Sequence, residues 1–313
     1  GSARRDKSHK HRNVPYVMNP VALHLASGAS AFSGAVLLVL GAGVSVWCRG
    51  RRTKSLRTLL VWLGLVLMIA SATPWPAWLY VLLGAASLGW FLAEEAPLVR
   101  RATGVLAPRV ILIGVAILMA GVELPHTFPP EIPPLPGGHL YVIGDSISAG
   151  IGSGYPPWPD VFAAQHALPV TSLAAAGATV ADAMSRTAQV KAPHAVVLVE
   201  LGGNDLLSGL PTREFARDLE MLLASLRQPG RTIAMLELPL FPFQSGYGRA
   251  QRALARRFNV YLIPKRYLAR VLGTRGATAD GLHLSEAGTQ VMADAVYSIL
   301  GPALGRPTQL GPS

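Results

Sequence analysis

Two uncharged stretches dominate the hydrophobic pattern in the first third of the chain. Residues 13–48 and 58–93 contain no Asp, Glu, Lys or Arg, and a membrane-spanning helix needs about 20 mostly apolar residues. The second stretch predicts two helices, because the two prolines of Thr73–Pro76 interrupt it. Together with one further candidate, the pattern predicts an all-α bundle of four transmembrane helices, at Leu25–Trp47, Leu56–Ala72, Ala77–Ala93 and Val105–Leu124.

The fourth predicted helix is the weakest of these candidates. Its uncharged core is short, from Val110 to Val122. A membrane span here requires Arg109 to snorkel to the interface. The alternative interpretation of this segment is a buried hairpin of a soluble domain.

The pattern changes after residue 138, where short apolar runs alternate with stretches of helical periodicity. Strands are predicted at His139–Ile143, Val170–Leu173, Ala195–Glu200, Thr232–Leu236 and Val260–Ile263. Helices are predicted at 157–166, 179–190, 212–228, 247–258 and 285–300. Strands that alternate with helices predict an α/β fold, in which a parallel sheet is covered by helices on both faces.

These patterns divide the chain into five segments. A transmembrane domain at 21–124 is followed by a linker at 125–138 and an α/β domain at 139–303, with tails at 1–20 and 304–313. The linker is rich in proline, which favours extended polyproline II and predicts a semi-rigid spacer. Gly1-Ser2 resembles the remnant of an expression tag, and we expect the native chain to begin near Met18.

Composition and charge exclude several classes of protein. Charged residues make up 14% of the chain, against about 25% in soluble domains, and the high hydrophobic content argues against disorder. Of the net charge of +11, residues 1–137 carry +8 and residues 138–303 only +2. Because the α/β domain is almost neutral, nucleic-acid binding is not expected. The single cysteine, Cys48, excludes a disulfide framework and a Cys-based zinc site.

The basic residues also predict how the bundle is oriented. The 49–57 and 100–109 loops lie on one side and carry eight Lys or Arg, whereas the 73–76 turn on the other side carries none. By the positive-inside rule, the basic loops face the cytoplasm. We therefore expect an integral inner-membrane protein that contacts membrane lipids and places its α/β domain on the extracytoplasmic, periplasmic side.

Four motifs that contain reactive or donor groups lie at strand ends or just before the last helix, where parallel sheets bind ligands. A serine hydroxyl becomes a nucleophile when a base takes its proton and a third group orients that base. Ser146, His283 and Asp280 can fill these three roles, with His283 Nε2 as the base. The resulting oxyanion needs donors, which the N–H groups of Ser146 and Gly177 and the side-chain amide of Asn204 can provide.

The four motifs resemble those of the SGNH (GDSL-type) hydrolases, whose blocks supply Ser, Gly, Asn and His. The matching residues are Ser146 in GDSIS, Gly177 in AAAGAT, Asn204 in GGND and His283 in DGLH. The stretches VELGGNDLLSGLP and ADGLHLSEAG are most similar to the thioesterase I/lysophospholipase/arylesterase branch. The resemblance covers about residues 139–300, with Ile147 in place of the Leu of the GDSL motif.

This resemblance implies a three-layer, flavodoxin-like parallel sheet and a catalytic triad of Ser146, Asp280 and His283. It also implies an oxyanion hole formed by Ser146, Gly177 and Asn204. The competing α/β-hydrolase fold is excluded, because Ser148 stands where its Gly-x-Ser-x-Gly motif requires glycine.

Further candidate residues follow the fourth strand, on the same edge of the sheet. Phe241, Phe243 and Tyr247 line an acyl pocket, form a lid or belong to a packed loop. The next predicted helix carries four arginines, Arg249, Arg252, Arg256 and Arg257. These form either a solvated face or a contact with anionic headgroups. No metal or cofactor is suggested, since the histidines lack partners at ligand spacing.

The sequence therefore predicts a membrane-anchored serine hydrolase that cleaves carboxylic esters through an acyl-enzyme on Ser146. The expected substrate is an acyl ester of a lipid or lysophospholipid. The alternative is an O-acetylesterase or acyltransferase that acts on envelope polysaccharide. A non-catalytic binding protein is less favoured, because all the predicted catalytic groups are present.

Overall fold

The computed structural model of the chain describes residues 19–47, 51–96, 106–135, 138–150 and 154–305. Most of the two predicted tails, 1–20 and 304–313, lies outside these residues, as do Cys48 and parts of both basic loops. The described residues form a helical domain followed by an α/β domain.

The described helical domain contains one short helix, α1, and four long helices, α2–α5. Their bounds are Pro20–Ala26, Ala29–Trp47, Arg51–Ala70, Ala77–Glu95 and Ala107–Glu123. Each long helix provides a segment long and apolar enough to cross a membrane, with a mean hydropathy between 1.4 and 1.9. Large apolar side chains such as Leu59, Val66 and Val81 are exposed on the outside of the bundle, as suits a lipid environment. The predicted four-helix bundle is thus confirmed.

Small residues allow α2 and α3 to approach each other closely. A Cβ atom at Gly34 would lie 2.8 Å from the Gly64 carbonyl oxygen, and one at Gly64 would lie 2.8 Å from that of Gly34. Such contacts are typical of helix pairs in membranes, where apolar side chains gain little by leaving lipid. Close backbone packing therefore holds this pair together.

An ion cluster lies inside the end of the bundle that is remote from the α/β domain. Glu94 accepts hydrogen bonds from Arg57, at 3.1 Å, and from Arg109. Arg109 Nε also donates to Ser45 Oγ at 2.6 Å. Because Arg109 is buried, the expectation that it snorkels to the interface is wrong. Its charge is compensated inside the bundle instead.

The first predicted span is interrupted at Gly28, which separates α1 from α2. Gly28 has a φ of +80°, a conformation that favours glycine, and a Cβ atom there would lie 2.7 Å from Lys265 Cε. A single glycine in an uncharged stretch does not reveal such a break in the sequence pattern. The break allows α1 to pack on the α/β domain, where Leu23 contacts Gly273.

The described sheet of the α/β domain contains five parallel strands, β1–β5. Their bounds are His139–Gly144, Val170–Ser172, Ala195–Glu200, Arg231–Leu236 and Tyr261–Ile263. The strand order is β2-β1-β3-β4-β5, and β1 pairs with β3 from His139 opposite Ala195. Apolar clusters cover both faces of the sheet. The predicted three-layer α/β fold is confirmed, and each strand ends within one residue of its predicted bounds.

Eight helices, α6–α13, belong to the described part of this domain. Their bounds are Ser146–Ala149, Trp158–His166, Val180–Ala183, Gly203–Leu207, Thr212–Leu226, Ser245–Phe258, Lys265–Gly273 and Glu286–Leu304. The sequence pattern missed α6, α9 and α12. The first two are too short to show helical periodicity. In the predicted helix 179–190, only α8 is α-helical, and the following residues, Met184–Gln189, form a 3-10 helix.

The proline-rich segment does not act as a spacer between the domains. Its start, Leu124–Thr127, is a 3-10 helix that continues α5. Further along, the Leu135 N–H donates to the Ala303 carbonyl oxygen at 2.6 Å. The side chains of Ile132 and Leu135 pack against the apolar core of the α/β domain. The segment is therefore attached to the α/β domain rather than extended between two separate bodies.

Four buried charged residues join the two domains, and we call them the interface charge cluster: Glu123, Glu237, Arg252 and Lys265. Glu123, at the end of α5, accepts two hydrogen bonds from Arg252, at 2.6 and 2.9 Å, and one from Lys265 Nζ at 3.1 Å. Arg252 Nε donates to Glu237 Oε1 at 2.7 Å. The two positive and two negative charges compensate each other away from water. Arg252 is therefore neither part of a solvated face nor in contact with headgroups.

We expect Glu123→Ala to destabilise the protein by about 3–5 kcal/mol, because it leaves Arg252 and Lys265 buried with too little negative charge. Thermal unfolding of the full chain in detergent measures this effect. Glu220→Ala is the matched control, since it removes an exposed pair with Arg257 and should cost under about 1 kcal/mol. Equal losses in the two variants would contradict the role given to the cluster.

Candidate active site

The nucleophile candidate, Ser146, lies at the turn between β1 and α6. Strand β1 ends at Gly144, and Asp145 caps the short helix by accepting the Ile147 N–H at 2.9 Å. Ser146 is thus the first residue of α6, at the carboxyl edge of the sheet, and it is buried. Its own N–H lies at a helix N-terminus, where unpaired backbone donors can bind an anion.

The base candidate, His283, and its orienting group, Asp280, form a pre-assembled pair. His283 Nδ1 and Asp280 Oδ2 are 2.6 Å apart. Asp280 Oδ1 also accepts the backbone N–H groups of Leu282, at 3.0 Å, and His283, at 2.8 Å. Partial burial opposes ionisation of Asp280, but these hydrogen bonds prevail and lower its pKa to about 2. An ionised Asp280 accepts a hydrogen bond from the Nδ1–H of His283, and this tautomer leaves Nε2 unprotonated to act as the base.

The two remaining oxyanion candidates, Gly177 and Asn204, lie on neighbouring loops that hydrogen-bond to each other. Asn204 Nδ2 donates to the Ala178 carbonyl oxygen at 3.0 Å, and Asp205 accepts the Val180 N–H at 3.1 Å. One amide hydrogen of Asn204 is used in this contact, so the other remains for a ligand. The φ of Gly177 is +74°, which glycine adopts without strain.

The serine and histidine loops line one cavity. Asp145 and Ile147, on either side of the nucleophile, and Gly281 and Leu282, next to the base, all contribute to its wall. Within the described part of the chain, Ser146 Oγ has no hydrogen-bond partner. No hydrogen bond joins Ser146 Oγ to His283 among the described residues, whereas His283 has its orienting partner, Asp280, at 2.6 Å.

The cavity has a volume of about 260 Å³ and a mostly apolar lining. Its apolar lining includes Leu206, Leu238, Phe241 and Leu268. A concave apolar pocket beside a few polar groups is the usual form of a small-molecule site. An apolar group attached to a reacting carbonyl at Ser146 can therefore be accommodated here.

The structure brings one of the three predicted pocket residues, Phe241, to this cavity. Phe243, with 84% of its surface exposed, lies outside its lining. Tyr247 is buried, stacks on Phe215 and donates its hydroxyl to the Leu210 carbonyl oxygen at 2.6 Å. The placement of Phe243 and Tyr247 in an acyl pocket is therefore corrected, because both side chains lie elsewhere.

Sequence reasoning missed a pair of buried acids next to Ser146. Glu200, at the end of β3, accepts a hydrogen bond from Ser148 Oγ at 2.8 Å. Ser148 Oγ in turn accepts a hydrogen bond from Trp158 Nε1 at 3.1 Å. Burial raises the pKa of Asp145 to about 6, and burial and the charge of Asp145 raise the pKa of Glu200 well above its usual range. Both shifts favour the protonated form of these carboxyl groups. The sequence feature that could have indicated this acid pair is the single Glu at the end of the otherwise apolar strand Ala195–Glu200.

Among the described residues, no group of three or more His, Cys, Asp or Glu side chains is arranged to hold a metal ion.

Comparisons with known proteins identify chains that are similar to this one. Residues 142–291 match the model of the GDSL-like Lipase/Acylhydrolase family. The chain is 28% identical over 179 residues to Esterase TesA of Pseudomonas aeruginosa, a match that covers 53% of this chain and 89% of that protein. It is 30% identical over 119 residues to an arylesterase of Vibrio mimicus, covering 35% of this chain and 58% of that protein.

Solved structures include similar chains. The crystal structure of TesA has a TM-score of 0.47 and 28% identity, and the match covers 53% of this chain and 99% of that one. The psychrotrophic esterase EstA from Pseudoalteromonas sp. has a TM-score of 0.48 and 19% identity, covering 52% of this chain and 97% of that one.

The acid pair predicts a pH dependence of stability. Because both pKa values are raised in the folded state, the folded protein binds more protons than the unfolded chain from about pH 4 upward. The contribution of the pair to the free energy of unfolding therefore falls as pH rises through 6. Glu200→Gln keeps an acceptor for Ser148 but carries no charge, so we expect its unfolding midpoint to fall less than that of the wild type between pH 5 and pH 8.

Thermal unfolding of the full chain at both pH values measures this difference. Glu214→Gln, at an exposed position on α10, is the control and should retain the wild-type pH dependence. If Glu200→Gln also retains it, the pair does not hold a proton in the folded state.

Proposed function

We propose that this chain, whose α/β domain belongs to the SGNH (GDSL-type) hydrolase family, is a membrane-anchored esterase. Its proposed substrates are acyl esters of lipids or lysophospholipids. The observation that carries the proposal is the apolar cavity beside the Ser146 loop. An acetyl group on a polysaccharide needs no such space, whereas the acyl chain of a lipid does.

The reaction proceeds through an acyl-enzyme. Ser146 Oγ attacks the ester carbonyl while His283 Nε2 takes its proton, and Asp280 stabilises the imidazolium that forms. The N–H groups of Ser146 and Gly177 and the free amide hydrogen of Asn204 bind the oxyanion. His283 then protonates the leaving alcohol. Water, deprotonated by His283, releases the acid and restores the serine.

The membrane location is part of the proposal. The four long helices are apolar enough to span a bilayer, and the α/β domain lies at the end of the bundle opposite to Lys54, Arg57 and Arg109. Basic residues favour the cytoplasmic side, so the active site lies outside the cytoplasm. A lipid ester in the outer leaflet is then close to the triad.

A comparison of two substrates tests the activity. We expect the purified full chain to release fatty acid from a lysophospholipid faster than acetate from an O-acetylated glycan, and to be labelled by a fluorophosphonate probe. Ser146→Ala should abolish both activity and labelling. Asp280→Asn should lower kcat by roughly 10²–10⁴-fold, because the imidazole loses its orienting partner.

Asp160→Asn, an exposed site at the start of α7, is the control for the loss of a carboxylate and should keep the wild-type kcat. Release of acetate without fatty acid would favour the polysaccharide alternative. Labelling that survives Ser146→Ala would overturn the assignment of the nucleophile.

Cysteine labelling tests the orientation, since Cys48 is the single cysteine and lies between the first two spans. A membrane-impermeant maleimide should react with Cys48 in inverted vesicles and not in spheroplasts. Ser185→Cys in a Cys48→Ser background, exposed on the α/β domain, should show the reverse pattern. Labelling of Cys48 in spheroplasts would place the active site in the cytoplasm.

A further inference from the structure

The apolar cavity at the active site is closed by the helical domain as well as by the α/β domain. Besides the serine and histidine loops, Leu207 of α9, Phe241 of the loop after β4 and Leu272 of α12 contribute to its wall. A further part of the wall comes from the start of the chain, where Ala22 and Ala26 lie on α1. Two alanines leave room that larger side chains would fill.

Several contacts hold α1 in this place. Leu23 fits against Gly273, where a Cβ atom would approach Leu23 Cδ2 to 2.5 Å. The Leu25 carbonyl oxygen accepts the Ala72 N–H at 3.1 Å. Asn19 caps the helix by accepting the Val21 N–H at 2.9 Å. The helix is therefore tied both to α12 and to the turn between α3 and α4.

The rim of the cavity is apolar and exposed. Leu207, Phe241 and Leu282 line the cavity and are also open to the outside, and Phe243 is exposed two residues beyond Phe241. Exposed apolar clusters of this kind mark contacts with membranes or other partners.

The position of this rim favours the membrane. The segment that carries Phe241 and Phe243 leads directly into α11, where Gly248 packs against Pro74. Arg249, the next residue, donates to the Trp75 carbonyl oxygen at 3.4 Å. Pro74 and Trp75 belong to the turn between two candidate spans, so the rim lies near the level at which the helices leave the bilayer.

We propose that α1 completes an acyl-chain site whose mouth faces the membrane, and that Ala22 and Ala26 limit the length of the chain it accepts. The substrate class is then an ester with one unbranched acyl chain drawn from the bilayer. This inference rests on the esterase activity proposed above. The size fits: an apolar cavity of about 150 Å³ holds a benzene ring, so about 260 Å³ holds a chain of roughly ten carbons by the same ratio.

Substitution of Ala22 tests the proposal in the full chain in detergent, with p-nitrophenyl octanoate and p-nitrophenyl acetate as probes. We expect Ala22→Phe to lower the ratio of kcat/KM for octanoate to that for acetate by about tenfold or more, because buried methylenes lose their binding space. Val21→Phe is the matched control, since the neighbouring side chain is 64% exposed and lies outside the lining. It should keep the wild-type ratio.

Ala22→Val provides a smaller change if Ala22→Phe does not fold, and it should lower the same ratio by about two- to threefold. An unchanged ratio in the folded Ala22 variants, with wild-type hydrolysis of octanoate intact, would overturn the role of α1 and leave the esterase proposal standing. A wild-type protein that cleaves neither ester would overturn the proposed function itself.

Discussion

The buried ion pairs of Glu123 with Arg252 and Lys265 are the interaction on which the arrangement of the molecule depends. Charged groups removed from water tolerate little displacement, because each loses its compensation when its partner moves. The pairs connect the last residue of α5 to helices α11 and α12, and Glu237 balances the remaining charge. These ion pairs fix the position of the α/β domain at the end of the bundle. The contacts of α1 with α12, and of Pro74 with Gly248, follow from that placement.

The chemistry depends on a second constraint, the geometry of a parallel sheet. All five strands point their carboxyl ends to one edge, so that loops far apart in sequence meet there. Ser146, Gly177 and Asn204 come from three adjacent strands in the order β2-β1-β3. His283 is added from the loop before the last helix. The acid pair of Asp145 and Glu200 lies directly beside the nucleophile, where Glu200 accepts a hydrogen bond from Ser148 and its burial favours the uncharged form of the carboxyl group.

Features encoded by short-range patterns were predictable from the sequence. Alternating apolar runs located every strand, and residue types at strand ends identified the triad candidates. Features that arise from tertiary contact were not. The sequence places Arg252 on a basic helix but does not reveal that its partner, Glu123, lies 129 residues away. The sequence pattern also does not reveal that Gly28 separates two helices. Tyr247 is an aromatic residue of the kind that lines pockets. Phe243 has a φ of +69°, α11 begins two residues later, and the ring of Tyr247 lies in the apolar core. Proline content likewise suggested a spacer, although Leu135 fastens that segment to the domain.

The position of α1 has a consequence for the time at which the protein becomes competent. Helix α1 is the first described element to leave the ribosome and α12 the second to last, so their contact has a very long sequence separation and forms late. All five strands of the sheet precede α12 in the chain, so the sheet can be synthesised before this contact exists. The wall that Ala22 and Ala26 add to the cavity is therefore a property of the whole chain, and an α/β domain separated from the helical domain lacks it.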